Sequence, residues 1–349
     1  MKLLAISDAY IPAAIMREGL ETLREAGVDV EIRPWEHGSL SGLQEANLAI
    51  EQGGPAAVPL PDSLLADCDG FHVLVVQFAP VSRRLLELAS SLQLVCVLRG
   101  GTENVDVSFA TERSISVMNT PGRNARAVAE CTLALMLAEV RNIARSHAAL
   151  KSGVWRRDFP NTEAIPELNQ KTVGLVGYGA VGRLVAHYVT AFGGRVITYD
   201  PFLRADPERV RRVELAELLE QSDIVSLHAR LTDDNRHLIG RAELGLMKPT
   251  AVLVNTARSG LVDEEALVEA LAGKHIMGAA IDVFDQEPLP PEHPLVTLDN
   301  ATITPHLAGS TVDAFRGSPA LMAGHLKRLM DGDQNVPIVN EIRPKWTGA

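Results

Sequence analysis

The sequence predicts an α/β protein of two doubly wound parallel-sheet domains, the second inserted into the first. Three observations carry this expectation. Short apolar runs alternate with segments of helical period almost from the first residue, the rhythm of an open parallel sheet. A chain of 349 residues exceeds what one hydrophobic core serves comfortably, so two domains are expected. The most legible motif, "VGLVGYGAVG" at residues 173 to 182, begins halfway along the chain and leaves a whole domain ahead of it.

The elements follow in order. "KLLAIS" reads as a strand, "PAAIMREGLETLREAG" as one amphipathic helix ending on Gly27, and "VDVEIRPW" as the next strand. From Gly38 to Pro61 the chain is rich in Gly, Pro and Ala and reads as loop holding one short helix. "FHVLVVQFA", "LQLVCVLRG" and "ISVMNT" are strands, with "SRRLLELASS" a helix between the first two. "NARAVAECTLALMLAEVRNIARSHAALKSG" (124–153) is the longest helical pattern. Ala129, Leu133, Met136, Leu137, Val140 and Ile143 form its broad apolar stripe, which packs either internally or against a second copy. From 172 the alternation resumes, with "TVGLVG", "RVITYD", "DIVSLHA", "AVLVNTA", "IMGAAIDV" and "ATITP" as strands. A last helix, Val312 to Met330, is placed to carry the chain back to the first domain. The expected domains are therefore 1–120 with 310–349, and 121–309 between them. No internal repeat or low-complexity segment is visible.

Apolar residues make up 46% and charged residues 22%, ordinary for a soluble globular protein. The net charge of −11 argues against binding a nucleic-acid backbone, which needs a basic face. The one dense basic run, "RVRR" at 209–212, is expected on a solvated helix surface. Cys68, Cys96 and Cys131 are widely spaced in apolar stretches, so buried free thiols in a reducing compartment are expected, and no metal site. An acid at residue 8 comes too early for a signal peptide, and no uncharged apolar run approaches the roughly 18 residues of a membrane span. The expectation is a cytoplasmic protein without membrane or nucleic-acid partners.

Gly177, Gly179 and Gly182 spell G-x-G-x-x-G between a strand and the helix "RLVAHYVTAFG". The first permits the tight turn, the second lets backbone approach a pyrophosphate, and the third lets helix pack on strand. The helix N-terminus adds amide donors and partial positive charge for the phosphates. The following strand, "RVITYD", ends in Asp200. A carboxylate there accepts from both ribose hydroxyls and repels a 2′-phosphate, which points to NAD rather than NADP. Arg204 nearby is the residue that would weaken this choice.

Arg258 in "VNTARSG" follows a buried strand, where the carboxyl edge of a parallel sheet faces its cleft. Its guanidinium suits bidentate capture of a carboxylate; the alternative is an ion pair with Asp263 or Glu264. Asp282 in "AIDVFDQEP" ends a second strand, with Glu287 in the loop behind it, and His306 in "ITPHLAGS" directly follows a third. Singly such groups are more often structural. At the carboxyl ends of strands in one nucleotide-binding sheet, they can converge on a nicotinamide.

Together these segments carry a resemblance. The chain resembles the D-isomer-specific 2-hydroxyacid dehydrogenases from about residue 70 to 340, through "GTENVD", "VMNTPGRNARAVAE", "VGLVGYGAVGR", "HARLTDDNRHLI", "LVNTARSGLVDEEAL", "GAAIDVFDQEPLP" and "TPHLAGST", in that order and spacing. The resemblance implies a Rossmann cofactor domain inserted in a split flavodoxin-like substrate domain, and a catalytic trio of Arg258, Glu287 and His306. It implies NAD held by Gly177, Tyr178, Gly179, Ala180, Val181 and Gly182, by Asp200, His228 and Ala229, and by Thr256, Ala257, Asp282, His306 and Gly309. Asp282 would bond the nicotinamide carboxamide. Amides near Gly100 and Gly101 would hold the substrate carboxylate, with Arg99, Arg258 and His306 also meeting the substrate. Arg230 departs from the proline of many members, in a loop expected on the adenosine side. Arg99 is either a ligand for a substrate phosphate or second carboxylate, or a surface ion-pair partner. The first 65 residues match only in strand pattern, and the regulatory domain of longer phosphoglycerate dehydrogenases is not expected.

The implied reaction is hydride transfer between NAD(H) and C2 of a D-2-hydroxy or 2-keto acid. Arg258 binds the carboxylate and polarises the C2 oxygen, and protonated His306 donates to that oxygen. Glu287 accepts the other imidazole proton, favouring the charged form and fixing its tautomer. Closure around hinges near 119–124 and 306–312 would exclude water, and a homodimer is the expected assembly. Glu287 disfavours the formate dehydrogenase branch, which replaces that glutamate. NAD-sensing corepressors share the fold as binding modules; against that role stands the lack of an added recruiting tail. The identity of the C3 substituent is left open among 3-phosphoglycerate, hydroxypyruvate, glyoxylate and sugar acids.

Overall fold

The computed structural model describes residues 1–162, 165–204 and 210–345. Its first half runs β1 (Lys2–Ser7), α1 (Ala13–Gly19), α2 (Glu21–Glu25), β2 (Asp29–Pro34), α3 (Leu40–Gly53), α4 (Asp62–Leu65), β3 (Val73–Val76), α5 (Arg83–Leu88), β4 (Leu94–Val97), α6 (Val107–Glu112) and β5 (Ser116–Asn119). Then come α7 (Ala125–Val140), α8 (Ile143–Lys151), β6 (Thr172–Val176), α9 (Ala180–Ala191), β7 (Arg195–Tyr199), β8 (Arg211–Arg212), α10 (Leu215–Gln221) and β9 (Ile224–Leu227). The chain ends with α11 (Arg241–Leu246), β10 (Val252–Asn255), α12 (Glu264–Ala272), β11 (Gly278–Ile281), α13 (Pro294–Thr297), β12 (Ala301–Ile303) and α14 (Val312–Met330). Two compact units result, one of Met1–Arg123 with the segment from Val312 onward, the other of Asn124–Thr311.

The first unit holds a parallel sheet in the order β2-β1-β3-β4-β5. Its central strands β3 and β4, "VLVV" and "LVCV", are buried throughout, as strands covered on both faces must be. α14 returns to this unit and packs on α1. Gly19 allows the close approach, because a Cβ there would stand 2.5 Å from Cβ of Pro319. Two sequence expectations need correction. The helix expected to run unbroken to Gly27 divides at Leu20 into α1 and α2. The stretch from Gly38 to Pro61 holds the 14-residue α3, capped by Ser39 Oγ accepting from the Gly42 amide at 3.1 Å and ended by Gly54 at φ 76°. Only Leu43 and Ile50 of α3 are buried, too sparse a stripe to announce a helix.

The second unit is a 7-stranded sheet, order β12-β11-β10-β9-β6-β7-β8, in which β6 lies at the point where strand order reverses. Its paired strands are parallel. α7 covers one face and buries Ala129, Met136 and Val140 in the unit's own core. The 124–153 pattern is not one helix: Asn142 at φ 56° separates α7 from α8, and Ile143 beyond it is 55% exposed. Arg145 secures this break through Asn142 Oδ1 and through both oxygens of buried Glu139, which also accepts from Thr302 Oγ1 of β12 at 2.6 Å. The basic run is also corrected. Arg211 and Arg212 form the exposed edge strand β8, because Val210 and Val213 alternate inward beside it; Arg209 lies outside the described residues. All three cysteines are free, but Cys131 is only half-buried. No described helix is long and apolar enough to cross a membrane.

Candidate active site

The carboxyl edge of the second unit's sheet gathers most of the expected residues. After β6, Gly177 turns at φ 99°, and a Cβ there would strike the Ala229 amide nitrogen at 2.7 Å. A Cβ on Gly182 would stand 2.4 Å from the Gly177 carbonyl oxygen. Gly179 differs: it caps α9, and a Cβ there would enter open space. Beside that space lie Ala180, Val181 and Gly182, the first turn of α9, whose amides precede the helical ladder. This cradle fits a dinucleotide pyrophosphate.

Asp200, at the end of β7, accepts from the Tyr178 amide at 2.8 Å and from the Phe202 amide at 2.9 Å. These bonds clamp the carboxylate beside the glycine turn and leave each oxygen another lone pair for a ribose hydroxyl. Arg204 is exposed. His228, after β9, shares a 3.0 Å bond with Ser226 Oγ, and burial pushes its imidazole down to about 3. It is neutral near pH 7 and offers a phosphate no charge. Thr256 Oγ1 bonds Thr132 Oγ1 at 2.7 Å and ties the end of β10 to α7.

Asn255 closes β10 by accepting from the Ala257 amide at 3.0 Å and donating to the Arg258 carbonyl at 2.9 Å. Arg258 is thereby presented outward, exposed, and among the described residues its side chain bonds only the Ala257 carbonyl. The ion-pair alternative is absent among the described residues. Asp263 instead caps α12 through the Ala266 amide, and Glu264 binds His293 at 3.1 Å. Beyond β11, Asp282 is fully buried. Oδ1 accepts from Thr304 Oγ1 at 2.5 Å and the Leu307 amide at 3.0 Å, and Oδ2 accepts from the Ala308 amide at 2.9 Å. These bonds fasten the turn that carries His306 and leave Oδ2 a further lone pair for a carboxamide. His306 sits at φ 48°, strained for a residue with a Cβ, and half its side-chain surface is open. Its Nδ1 lies 2.8 Å from Glu287 Oε2, while Glu287 Oε1 accepts from the Phe284 amide at 3.0 Å. With Nδ1 donating to the carboxylate, Nε2 faces outward to take or give a proton. A Cβ on Gly309 would meet Asn124 Nδ2 at 2.3 Å, so a side chain there would have to displace the Asn124 amide.

The first unit carries Arg99, Gly100 and Gly101 at the carboxyl edge of its own sheet. Among the described residues no acceptor takes the Gly100 or Gly101 amide, whereas Gly100 offers its carbonyl to Asn119 Nδ2 at 2.5 Å. Arg99 is largely buried and pairs with Glu51 at 2.6 Å and Glu103 at 3.3 Å, and bonds Asn47 Oδ1 at 3.0 Å. Of its two readings, the ion-pair partner is the one seen. Sequence reasoning missed Asn255, Thr304, Thr132 and Glu139. The first is legible as a lone amide ending an apolar strand; the others depend on partners distant in the chain.

A glycine cradle at a sheet's switch point, with a carboxylate-bound histidine and an arginine without an ion pair among the described residues at the same edge, suits a dinucleotide-dependent oxidoreductase. Comparison with known proteins gives the family. The sequence profile described as "D-isomer specific 2-hydroxyacid dehydrogenase, NAD binding domain" matches residues 133–308. The D-3-phosphoglycerate dehydrogenase of Methanocaldococcus jannaschii is 40% identical over 80% of this chain and 53% of its own, so the chain spans about half that relative's length. The glyoxylate reductase of Thermofilum pendens is 40% identical over 76% of this chain and 80% of its own. A Thermus thermophilus protein of known structure superposes with a TM-score of 0.71, at 33% identity, over 97% of this chain and 100% of that one. The chain belongs to the D-isomer specific 2-hydroxyacid dehydrogenase family. It is an NAD-dependent oxidoreductase of 2-hydroxy acids.

Proposed function

We propose that the second unit binds NAD and the first selects the acid, with Arg258, Glu287 and His306 as the catalytic trio for reversible reduction of a 2-keto acid. The carrying observation is the 2.8 Å contact between His306 Nδ1 and Glu287 Oε2, at the edge that also presents unpaired Arg258. Bound NADH supplies the hydride. Arg258 grips the substrate carboxylate with its planar fork and polarises the C2 oxygen. His306 Nε2 delivers a proton to that oxygen, and Glu287 holds the ring in the required tautomer. In the opposite direction the same nitrogen is the base. The amides of Gly100 and Gly101 supply further donors for the carboxylate. Arg258→Lys, which keeps the charge and loses the fork, should raise KM and lower kcat together.

His306→Ala tests the assignment: kcat should fall by roughly 10²–10⁴-fold while NADH binding persists. Turnover within a few-fold of the parent would remove His306 from the mechanism. Glu287→Gln, which keeps the shape and loses the carboxylate that orients the imidazole, should lower kcat while NADH binding persists, and unchanged turnover would make that glutamate structural.

The assembly we infer is a homodimer, but the face differs from the expected stripe. Ala129 and Met136 are fully buried in their own unit, whereas Ile143, Leu150, Val154 and Trp155 expose an apolar surface on and beyond α8. The three free thiols fit the cytoplasmic location expected from sequence.

A further inference from the structure

The first unit holds an arginine that neither composition nor motif singled out. Arg123 follows β5, and its guanidinium stacks over the Phe315 ring at 4.9 Å. The Arg99 guanidinium stacks in the same way over Phe78 at 5.5 Å. Tyr10 packs against both rings, 4.5 Å from Phe315 and 5.8 Å from Phe78, so the two cations rest on one aromatic floor. α3 adds polar groups from one of its faces: Gln44 donates to Tyr10 Oη at 2.8 Å, and Asn47 and Glu51 hold Arg99.

The two arginines are unequally served. Arg99 is neutralised by Glu51 and Glu103. Arg123 is half-buried, and among the described residues its side chain makes one hydrogen bond, to the Ala314 carbonyl at 3.3 Å. Among the described residues no carboxylate forms an ion pair with it. Burial and the neighbouring Arg99 charge push its guanidinium down to about 10, and Asp8 opposes them only in part. The Arg99 charge is met directly by its two carboxylates, whereas Arg123 has no carboxylate in contact among the described residues, and a half-buried cation so placed favours an added anion. One carbonyl uses a single donor of five. A role limited to anchoring α14 would leave the remaining donors without purpose at the sheet edge where open α/β folds bind ligands.

We propose that Arg123 is the specificity-determining residue of this enzyme, receiving a second anionic group of the substrate, phosphate or carboxylate, at the carboxyl edge of the first unit's sheet. Arg99 is then a positioning residue, held by its own carboxylates on the same aromatic floor. The assignment rests on the 2-hydroxyacid dehydrogenase reading above and narrows it: the preferred acids carry a charged tail, and short uncharged ones are poor substrates.

The test is steady-state NADH oxidation by the full chain with three classes of 2-keto acid of similar length: phosphate-ended, carboxylate-ended and uncharged. The parent should favour one charged class over the uncharged one by roughly 10- to 100-fold in kcat/KM, the worth of a charge-assisted contact. Which class wins identifies the anion. Arg123→Met should remove most of that ratio, chiefly by raising KM for the charged acid, and Arg123→Lys should restore part of it. Retained turnover of the uncharged acid, which needs the first unit folded, serves with NADH binding as the folding control. A parent that reduces uncharged acids as well as charged ones, or a charged-to-uncharged ratio that survives Arg123→Met in a variant that still binds NADH, overturns the proposal and leaves the family reaction standing. Failure of the parent on every class would instead strike the reading on which the proposal rests.

Discussion

Asp8→Asn should free the first unit of a stability loss that its parent suffers as pH rises. Asp8 follows β1 and is 6% exposed. Oδ1 accepts from the amides of Tyr10 and Ile11 at 2.9 and 3.0 Å, whereas Oδ2 is buried with no hydrogen-bond partner among the described residues. Burial pushes the carboxyl up from 3.8 to about 6, overcoming the backbone bonds and the attraction of Arg123. An acid with a raised folded pKa holds its proton more tightly folded than unfolded. Its contribution is therefore fully present below 3.8 and is lost as pH climbs through about 6. A shift from 3.8 to about 6, at about 1.4 kcal/mol per unit, makes the complete loss about 3 kcal/mol. Asparagine does not ionise and still offers an acceptor to both amides. Urea unfolding of parent and variant, at about pH 4 and about pH 7.5, should show the variant gaining roughly 2–3 kcal/mol relative to the parent between the two conditions. Trp35, 4% exposed in the same unit, is the fluorescent reporter. Parallel pH dependences in the two proteins would refute the claim that Asp8 is held as a buried, strained acid beneath Tyr10.

Two further outcomes follow from the second unit and its surface. Asp200→Ala should narrow the preference for NADH over NADPH, mostly through KM, and equal use of both by the parent would sink the ribose assignment. Trp155→Glu should convert a dimer to a folded monomer by light scattering, whereas a parent already monomeric at micromolar concentration would refute the dimer.

Most of what the sequence made legible lies in the second unit, for a physical reason. The glycine turn, the strand-end residues Arg258, Asp282 and His306, and Glu287 occupy positions where backbone geometry or exposed chemistry restricts the residue type, so the pattern is readable locally. α14 was equally clear, its buried stripe running from Ala314 to Leu329. The first unit was opaque where its architecture depends on distant partners. α3 buries only Leu43 and Ile50, so its helix had no strong periodic signal, yet its polar face serves Tyr10 and Arg99. Arg123 was given no role from the sequence, because Phe315, which supports it, lies almost two hundred positions away. The break at Asn142 was hidden because the apolar period continues through it; only Arg145 reaching back to Glu139 shows why the chain turns there.

The central claim is that this chain turns over a 2-keto acid with NADH, rather than merely sensing the cofactor. NADH oxidation against a panel of 2-keto acids, run in parallel with His306→Ala, tests it most directly. Turnover of at least one acid by the parent, falling roughly 10²–10⁴-fold in the variant while both bind NADH, is the predicted result. NADH binding without turnover of any acid, or turnover indifferent to His306, would contradict the account and favour a cofactor-sensing module on the same fold.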